Sequence, residues 1–306
     1  MKILIATEKP FAAAAVNGIK TIAQEAGHEV ALLEKYTEKF QLLAAVADAD
    51  ALIVRSDKVT AEVVAAAKNL KIVVRAGAGY DNLDLEACSE KGIVAMNTPG
   101  QNSNAVAELV IAMMIYMSRN QFTPGTGMEI QGKKVGIQAY GNVGRLVAQK
   151  AKALGMEVMA FDPFVPAEKM SEEGVTPAES LEQMYQLCNF ISLHIPATPQ
   201  TKGSIGYDLA MSMPKGATLV NTARKEVIDE AGLMKAMEER EDLKYITDVV
   251  TANHAAIAEE FGKRVYGTPK KMGAETAEAN MNAGLAAANQ IVGYFATGCT
   301  KYQVNK

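Results

Sequence analysis

Residues 132–162, GKKVGIQAYGNVGRLVAQKAKALGMEVMAFD, decide the fold. A short apolar run, Val135 to Ala139, enters a turn marked by Gly141 and Gly144. An amphipathic stretch follows, with Val143, Leu146, Val147, Ala151 and Leu154 at helical spacing, and a second apolar run stops at Asp162. Strand, tight turn, helix, strand and terminal acid make a βαβ unit suited to a dinucleotide. The glycines let the backbone approach a pyrophosphate, and the helix N-terminus offers it unpaired N–H groups. Asp162 stands where a carboxylate accepts the ribose hydroxyls and repels a 2′-phosphate, which points to NAD rather than NADP. Ala139 holds the first glycine position of G-x-G-x-x-G, so the strand, helix and acid around the turn carry the reading. A plain βα turn needing small residues is the weaker alternative.

The chain has 306 residues, enough for two domains of ordinary size. Hydrophobic content of 49% and charged content of 22% belong to a soluble globular protein. A net charge of −4 with no basic cluster argues against nucleic acid or a membrane surface as partner. No apolar run reaches the ~20 residues of a transmembrane helix, and the opening MKILIATEKP lacks a signal-peptide pattern. Cys88, Cys188 and Cys299 are odd in number and far apart, so neither a disulfide framework nor a metal site is expected, and a reducing cytoplasm is the expected home.

Apolar runs alternate with helical stretches throughout, which predicts α/β architecture with parallel sheets. Strands are expected at Lys2–Ala6, Glu29–Leu33, Ala51–Arg55, Ile72–Arg75 and Ile93–Met96, then near 134–139, 157–161, 189–193, 217–220 and 244–247. Residues 102–119 read as a long helix whose Val106, Leu109, Val110, Met113, Met114 and Met117 form a core stripe. The polar stretch 118–131 is a connector, and the Ala-rich 275–297 is a helix expected to return to the first sheet.

Five segments together resemble the D-2-hydroxyacid dehydrogenase family: RAGAGYDNLDLEACSEKGIVAMNTPG (75–100), the unit at 132–162, HIPATPQTKGSIG (194–206), LVNTARKEVIDE (219–230) and TDVV (247–250). The resemblance implies two doubly wound parallel-sheet domains with the chain crossing between them twice. Residues 1–97 with 275–306 would form a flavodoxin-like substrate domain, residues 98–274 a Rossmann NAD domain, and the active site would lie in the cleft. It further implies that the turn at Gly141, with the backbone of Asn142 and Val143, meets the pyrophosphate. His194, Pro196 and Thr201 would lie beneath the cofactor, Thr222 and Ala223 near the nicotinamide, and Asp248 would bond its side. Arg224 would hold the substrate carboxylate and keto oxygen, helped by backbone at Ala76, Gly77 and Ala78. A small-molecule substrate and a homodimer are the partners expected, although the connector is shorter than the family's usual arm.

Physical chemistry supports Arg224 independently, because it follows a strand end and a guanidinium grips a carboxylate with two bonds while polarising the adjacent carbonyl. His194, ending a strand before a proline, reads better as structural. LIVRSDKVT (52–60) resembles a segment whose Arg and Ser bind phosphate, so Arg55 and Ser56, with help from Lys58, would select a phosphorylated acid. Asn102 is a further substrate candidate.

The family's acid–base histidine and its glutamate are both missing. Lys270 stands at the histidine position within GTPKKMGAETAEA, with Lys271 as the alternative; Asn253 stands at the glutamate position, and His254 follows it. A free lysine has a pKa of ~10.4 and is a poor base at neutral pH. A neighbouring glutamate would raise it further, so loss of the carboxylate suits a lysine asked to accept a proton. The function implied is NAD-dependent oxidation of D-3-phosphoglycerate to 3-phosphohydroxypyruvate at the head of serine synthesis, with Lys270 as acid–base. The alternatives are a D-2-hydroxyacid dehydrogenase for an unphosphorylated acid, or a non-catalytic NAD-binding regulator.

Overall fold

Strands made of uninterrupted Ile, Val, Leu and Ala need cover on both faces, and helices supply it. The computed structural model describes every residue from Met1 to Lys306, in two units: Met1–Asn102 with Glu275–Lys306, and Ser103–Ala274. The first unit runs β1 (Lys2–Thr7), α1 (Ala13–Glu25), β2 (Glu29–Glu34), α2 (Lys39–Val46), β3 (Ala51–Val54), α3 (Ala61–Ala66), β4 (Ile72–Arg75), α4 (Leu85–Glu90) and β5 (Val94–Asn97). Its parallel sheet has the order β2-β1-β3-β4-β5, the flavodoxin-like winding expected from the resemblance.

The second unit runs α5 (Ser103–Ser118), β6 (Lys134–Gln138), α6 (Asn142–Ala153), β7 (Glu157–Phe161), α7 (Ala167–Glu172), β8 (Thr176–Pro177), α8 (Leu181–Leu187), β9 (Phe190–Leu193), α9 (Tyr207–Ser212), β10 (Thr218–Asn221), α10 (Glu230–Glu239), β11 (Lys244–Thr247), α11 (His254–Phe261) and β12 (Val265–Gly267). Seven parallel strands line up as β12-β11-β10-β9-β6-β7-β8, a Rossmann order with one strand added at the β12 edge. The strands β8 and β12 escaped the sequence reading. Two or three residues that include Pro177 or Gly267 are too short to show a period.

The methionine stripe of α5 is core, as its spacing predicted: Met113, Met114 and Met117 are buried with Val135, Ile137 and Val147. After α5 the connector tightens at Asn120, Gln121 and Phe122, three successive non-glycine residues with φ of 53, 57 and 54°. Left-handed backbone costs about 1–2 kcal/mol per L-residue. The turn is secured by Gln121 Nε2 donating to the carbonyls of Lys263 (3.2 Å) and Val265 (3.3 Å) and by Lys263 Nζ donating to Thr123 Oγ1 (2.8 Å). Phe122 stacks edge-on against Tyr116 yet remains 70% exposed.

The last helix, α12 (Ala277–Thr297), belongs to the first unit. Thr276 caps it by accepting the Ala279 N–H at 3.1 Å, and Gly298 ends it at φ 69°. Its small face lies on α1 and the sheet, where Ala283, Ala287, Ala288 and Ile291 share a core with Ile3, Ile5, Ile19, Ile53 and Ile72. Beyond it, Val304 N–H donates to the Ala95 carbonyl (2.8 Å), while Asn305 accepts from Ala95 N–H (2.9 Å) and donates to the Ile93 carbonyl (2.8 Å). Residues at the end of the chain thereby cover the otherwise open edge of β5. No helix is long and apolar enough to cross a membrane.

Candidate active site

The turn between β6 and α6 shows what each small residue is for. Ala139 adopts φ 79°, the left-handed conformation that a first glycine normally supplies. At Gly144 an added Cβ would press into the Ala139 carbonyl and Ile137, so this glycine serves packing of helix on strand. At Gly141 a Cβ would meet nothing within 4 Å, and φ is an ordinary −86°. The protein itself gives no reason for glycine there; a ligand approaching the backbone does. Gly144→Ala should therefore lower the thermal midpoint by the equivalent of about 1–3 kcal/mol of overpacking. Gly141→Ala should melt with the parent and lose NADH affinity, which thermal melts and fluorescence titration check separately.

Asn142 and Val143 open α6, where N–H groups lack intrahelical partners and no acidic side chain competes for an anion. Asp162 follows β7, and its two oxygens accept the N–H groups of Tyr140 (2.8 Å) and Phe164 (2.8 Å). A carboxylate has about four lone-pair sites, so this fixed group keeps acceptors for ribose hydroxyls. Tyr140 is buried beneath the turn, donates to Glu173 Oε2 (2.8 Å) and lies under Arg145; burial chiefly, then Glu173, pushes its phenol up to about 12.

His194 follows β9 and shares a 2.9 Å hydrogen bond with Ser192 Oγ. Burial drives its imidazole down to about 3, so the ring is neutral, as a structural histidine would be. In the next loop Thr201 Oγ1 donates to the Pro196 carbonyl (2.5 Å) and accepts from Thr198 N–H (2.8 Å), which makes it the loop's fastener. At the end of β10, Ala223 N–H is held by Asn221 Oδ1 (3.0 Å), and the buried Thr222 hydroxyl has no hydrogen-bond partner within the protein. Arg224 begins the next turn, half-buried, with Nη1 donating to the Ala223 carbonyl (2.9 Å).

Asp248, at the end of β11, is 1% exposed. Its oxygens accept from Thr268 Oγ1 (2.8 Å), Met272 N–H (2.7 Å) and Gly273 N–H (2.8 Å). The carboxylate thus clamps both ends of the segment carrying Lys270 and Lys271, a role that the sequence reading, which aimed it at nicotinamide, did not contain. Both lysines are exposed; Lys271 is engaged, and Lys270 makes no hydrogen bond or ion pair. Asn253 precedes α11 without a side-chain capping bond and donates to Glu230 Oε1 (3.2 Å), so a carboxylate stands beside the position that lost one. His254 packs beside Gly267, its imidazole lowered by burial and opposed by Glu230.

In the first unit, Arg55, Ser56, Ala76, Gly77 and Ala78 gather at the carboxyl ends of β3 and β4, with Asn102 half-buried just before α5. Gly77 and Ala78 carbonyls accept from Thr98 N–H (2.9 Å) and Asn97 Nδ2 (2.6 Å), and Ala76 N–H is taken by the Val54 carbonyl (2.8 Å). The Gly77 and Ala78 N–H groups make no such bond and can meet a carboxylate. Arg75, not among the residues expected at the site, donates from Nε to the Arg55 carbonyl (3.0 Å), and its guanidinium lies where a Gly77 side chain would be. Its place at a strand end was the available signal.

Residues 105–275 match the family model described as D-isomer specific 2-hydroxyacid dehydrogenase, NAD binding domain. A D-3-phosphoglycerate dehydrogenase of Methanocaldococcus jannaschii is 38% identical over 275 residues, which is 83% of this chain and 51% of that protein. A hydroxypyruvate reductase of Thermotoga maritima is 37% identical over 219 residues, 67% of this chain and 70% of that one. The crystal structure of NAD+-bound 3-phosphoglycerate dehydrogenase from Entamoeba histolytica is 50% identical, covers 100% of this chain and 99% of its own, and superposes with a TM-score of 0.91. The chain spans about half the length of the curated phosphoglycerate dehydrogenases it matches.

Proposed function

The chain belongs to the D-isomer specific 2-hydroxyacid dehydrogenase family, and from that membership we propose that it oxidises D-3-phosphoglycerate to 3-phosphohydroxypyruvate with NAD, the first step of serine synthesis. The observation carrying this reading is the gathering, at the carboxyl ends of the strands of one sheet, of a dinucleotide turn, a half-buried arginine and an unpartnered lysine. Likeness to an NAD+-bound enzyme of that activity over the whole chain supports it.

NAD, when bound, supplies the acceptor for the hydride of C2. The chain's own residues do the rest. Asp162 favours free ribose hydroxyls and disfavours a 2′-phosphate by charge. Arg224 grips the substrate carboxylate and polarises the oxygen on C2, where negative charge gathers as the hydroxyl loses its proton. Lys270 takes that proton in the oxidative direction and, as ammonium, returns it in the reverse. Gly77 and Ala78 N–H groups add donors to the carboxylate, and the Arg55–Ser56 loop confers preference for a phosphorylated acid. The homodimer expected from the resemblance is part of this proposal, and sedimentation velocity reads it directly.

The likeness to a hydroxypyruvate reductase favours a second reading, an unphosphorylated acid as substrate. Steady-state assays with 3-phosphoglycerate, D-glycerate and D-lactate, each with NAD+ and NADP+, decide between them. We expect kcat/KM to be greatest for 3-phosphoglycerate with NAD+. Equal or better use of D-glycerate would replace the first reading by the second.

A further inference from the structure

The outer face of α12 and the end of the chain enclose a cavity lined by none of the residues assigned to the reaction. Gly298 closes the helix in the left-handed conformation (φ 69°) and turns the chain back. Farther on, Gln303 lies beside Met96 in an antiparallel bridge, and Val304 N–H donates to the Ala95 carbonyl (2.8 Å). Cys299 to Tyr302 therefore stretch between two fixed points, the helix end and the sheet edge. Under that stretch lies a cavity of about 460 Å³, a size at which small-molecule sites are found.

The lining has a definite chemistry. On α12 it is one face, where Asn282, Leu285, Ala286, Asn289, Gln290 and Gly293 recur at helical spacing, turned from the alanines that pack on the sheet. Met96 and Pro99, at and after the end of β5, close it from the other side. Apolar groups thus alternate with amides, which can both donate and accept. Lys301 is the one charged side chain in the lining, and no carboxylate stands there to balance it. Its ammonium makes no hydrogen bond or ion pair and lies 5.3 Å from the centre of the Tyr302 ring. An unbalanced cation beside an aromatic ring and apolar surface is complementary to a small organic anion. The ammonium suits carboxylate oxygens, and the ring, Met96 and Leu285 suit an apolar body.

One wall is tied to the loop that meets the substrate. Gln290 Nε2 donates to the Asn97 carbonyl (3.0 Å), and Asn97 Nδ2 donates to the Ala78 carbonyl (2.6 Å). Thr98, next in the chain, donates its N–H to the Gly77 carbonyl (2.9 Å). A short relay of hydrogen bonds therefore joins the cavity to the Gly77 and Ala78 N–H groups, and Gln101 of the lining directly precedes Asn102.

We propose that this cavity binds a small organic carboxylate with an apolar body, and that its occupant alters substrate affinity through Gln290 and Asn97. The binding is argued from the cavity alone; the effect on affinity rests on the 2-hydroxyacid reading above.

The probe is phenylacetate, with phenylacetamide as its uncharged isostere, applied to the full chain. Cys299 reports occupancy without any assay of activity. It is the exposed thiol of the lining, whereas Cys88 and Cys188 are buried, and burial pushes their thiols up to about 11 and about 12. Phenylacetate at saturation should slow alkylation of Cys299 by iodoacetamide about fivefold, read by mass spectrometry, and phenylacetamide should need about tenfold more, the size of one charge-assisted hydrogen bond. Lys301→Gln should erase that difference at an unchanged thermal midpoint, because the side chain is exposed and makes no ion pair. In steady-state assays of the hydroxyacid that the parent oxidises, phenylacetate should change KM by about fivefold or more, the low end of ordinary coupling, with kcat within about twofold. Lys301→Gln should lose that effect. Alkylation that ignores phenylacetate, or protection undiminished in Lys301→Gln, overturns the site. Alkylation that slows with protein concentration alone also overturns it, since a second copy of the chain then covers this face. Protection with an unmoved KM, or a KM effect that persists in Lys301→Gln, overturns the coupling. A parent that oxidises no hydroxyacid overturns the functional reading and the coupling with it, while protection of Cys299 still decides the site.

Discussion

Replacing Lys270 by alanine should cost roughly 10²–10⁴-fold in kcat, the span that a positioned general acid–base contributes, whereas Lys271→Ala should cost far less. Lys270 lies just past β12, on a segment whose two ends are fastened to buried Asp248. It has no ion pair or hydrogen bond to hold it away from a reacting hydroxyl, while Lys271 is already engaged. The readout that separates a proton-transfer role from a structural one is the pH dependence of kcat/KM: Lys270→Ala should abolish the limb reporting the base. Because Lys270 is exposed and has no partner, Lys270→Ala should not shift the thermal midpoint. Full turnover in both variants would end the assignment.

Arg224→Ala should lower kcat/KM by about 10²–10³-fold, in the range seen when a donor aimed at developing charge is removed. Arg224→Lys should recover little, because a point charge cannot make the two parallel bonds that orient a carboxylate. The local backbone has support besides the guanidinium's own bond to the Ala223 carbonyl (2.9 Å). Asn221 holds the turn from both sides, its Oδ1 accepting the Ala223 N–H (3.0 Å) and its Nδ2 donating to the Arg224 carbonyl (3.0 Å). Steady-state kinetics with thermal melts measures the effect; near-parental kcat/KM would remove Arg224 from the reaction.

The sheets were legible in the sequence because buried parallel strands are apolar runs broken by amphipathic helices, and α5 and α12 because long helices repeat their core residues many times. Strands β8 and β12 were not, since a period cannot be read from two or three residues. The dinucleotide turn was legible despite Ala139, whose φ of 79° shows that the backbone keeps the glycine conformation and bears the strain. What the sequence concealed was the destination of its polar side chains. Asp57 reaches Glu8, Asp248 reaches Thr268 and Gly273, and Asn253 reaches Glu230. No local rule pairs groups so far apart in the chain; packing decides them. Motifs therefore say where chemistry is to be expected, and side-chain networks decide which residues there are already engaged.

Because α12 leaves the ribosome only after the whole second unit, the sheet face bearing Ile3, Ile5, Ile53 and Ile72 is covered by α1 alone through most of synthesis. A nascent chain in that condition offers a sticky surface to its neighbours. Slower translation of the middle of the message would lengthen that exposure, and a faster one shorten it.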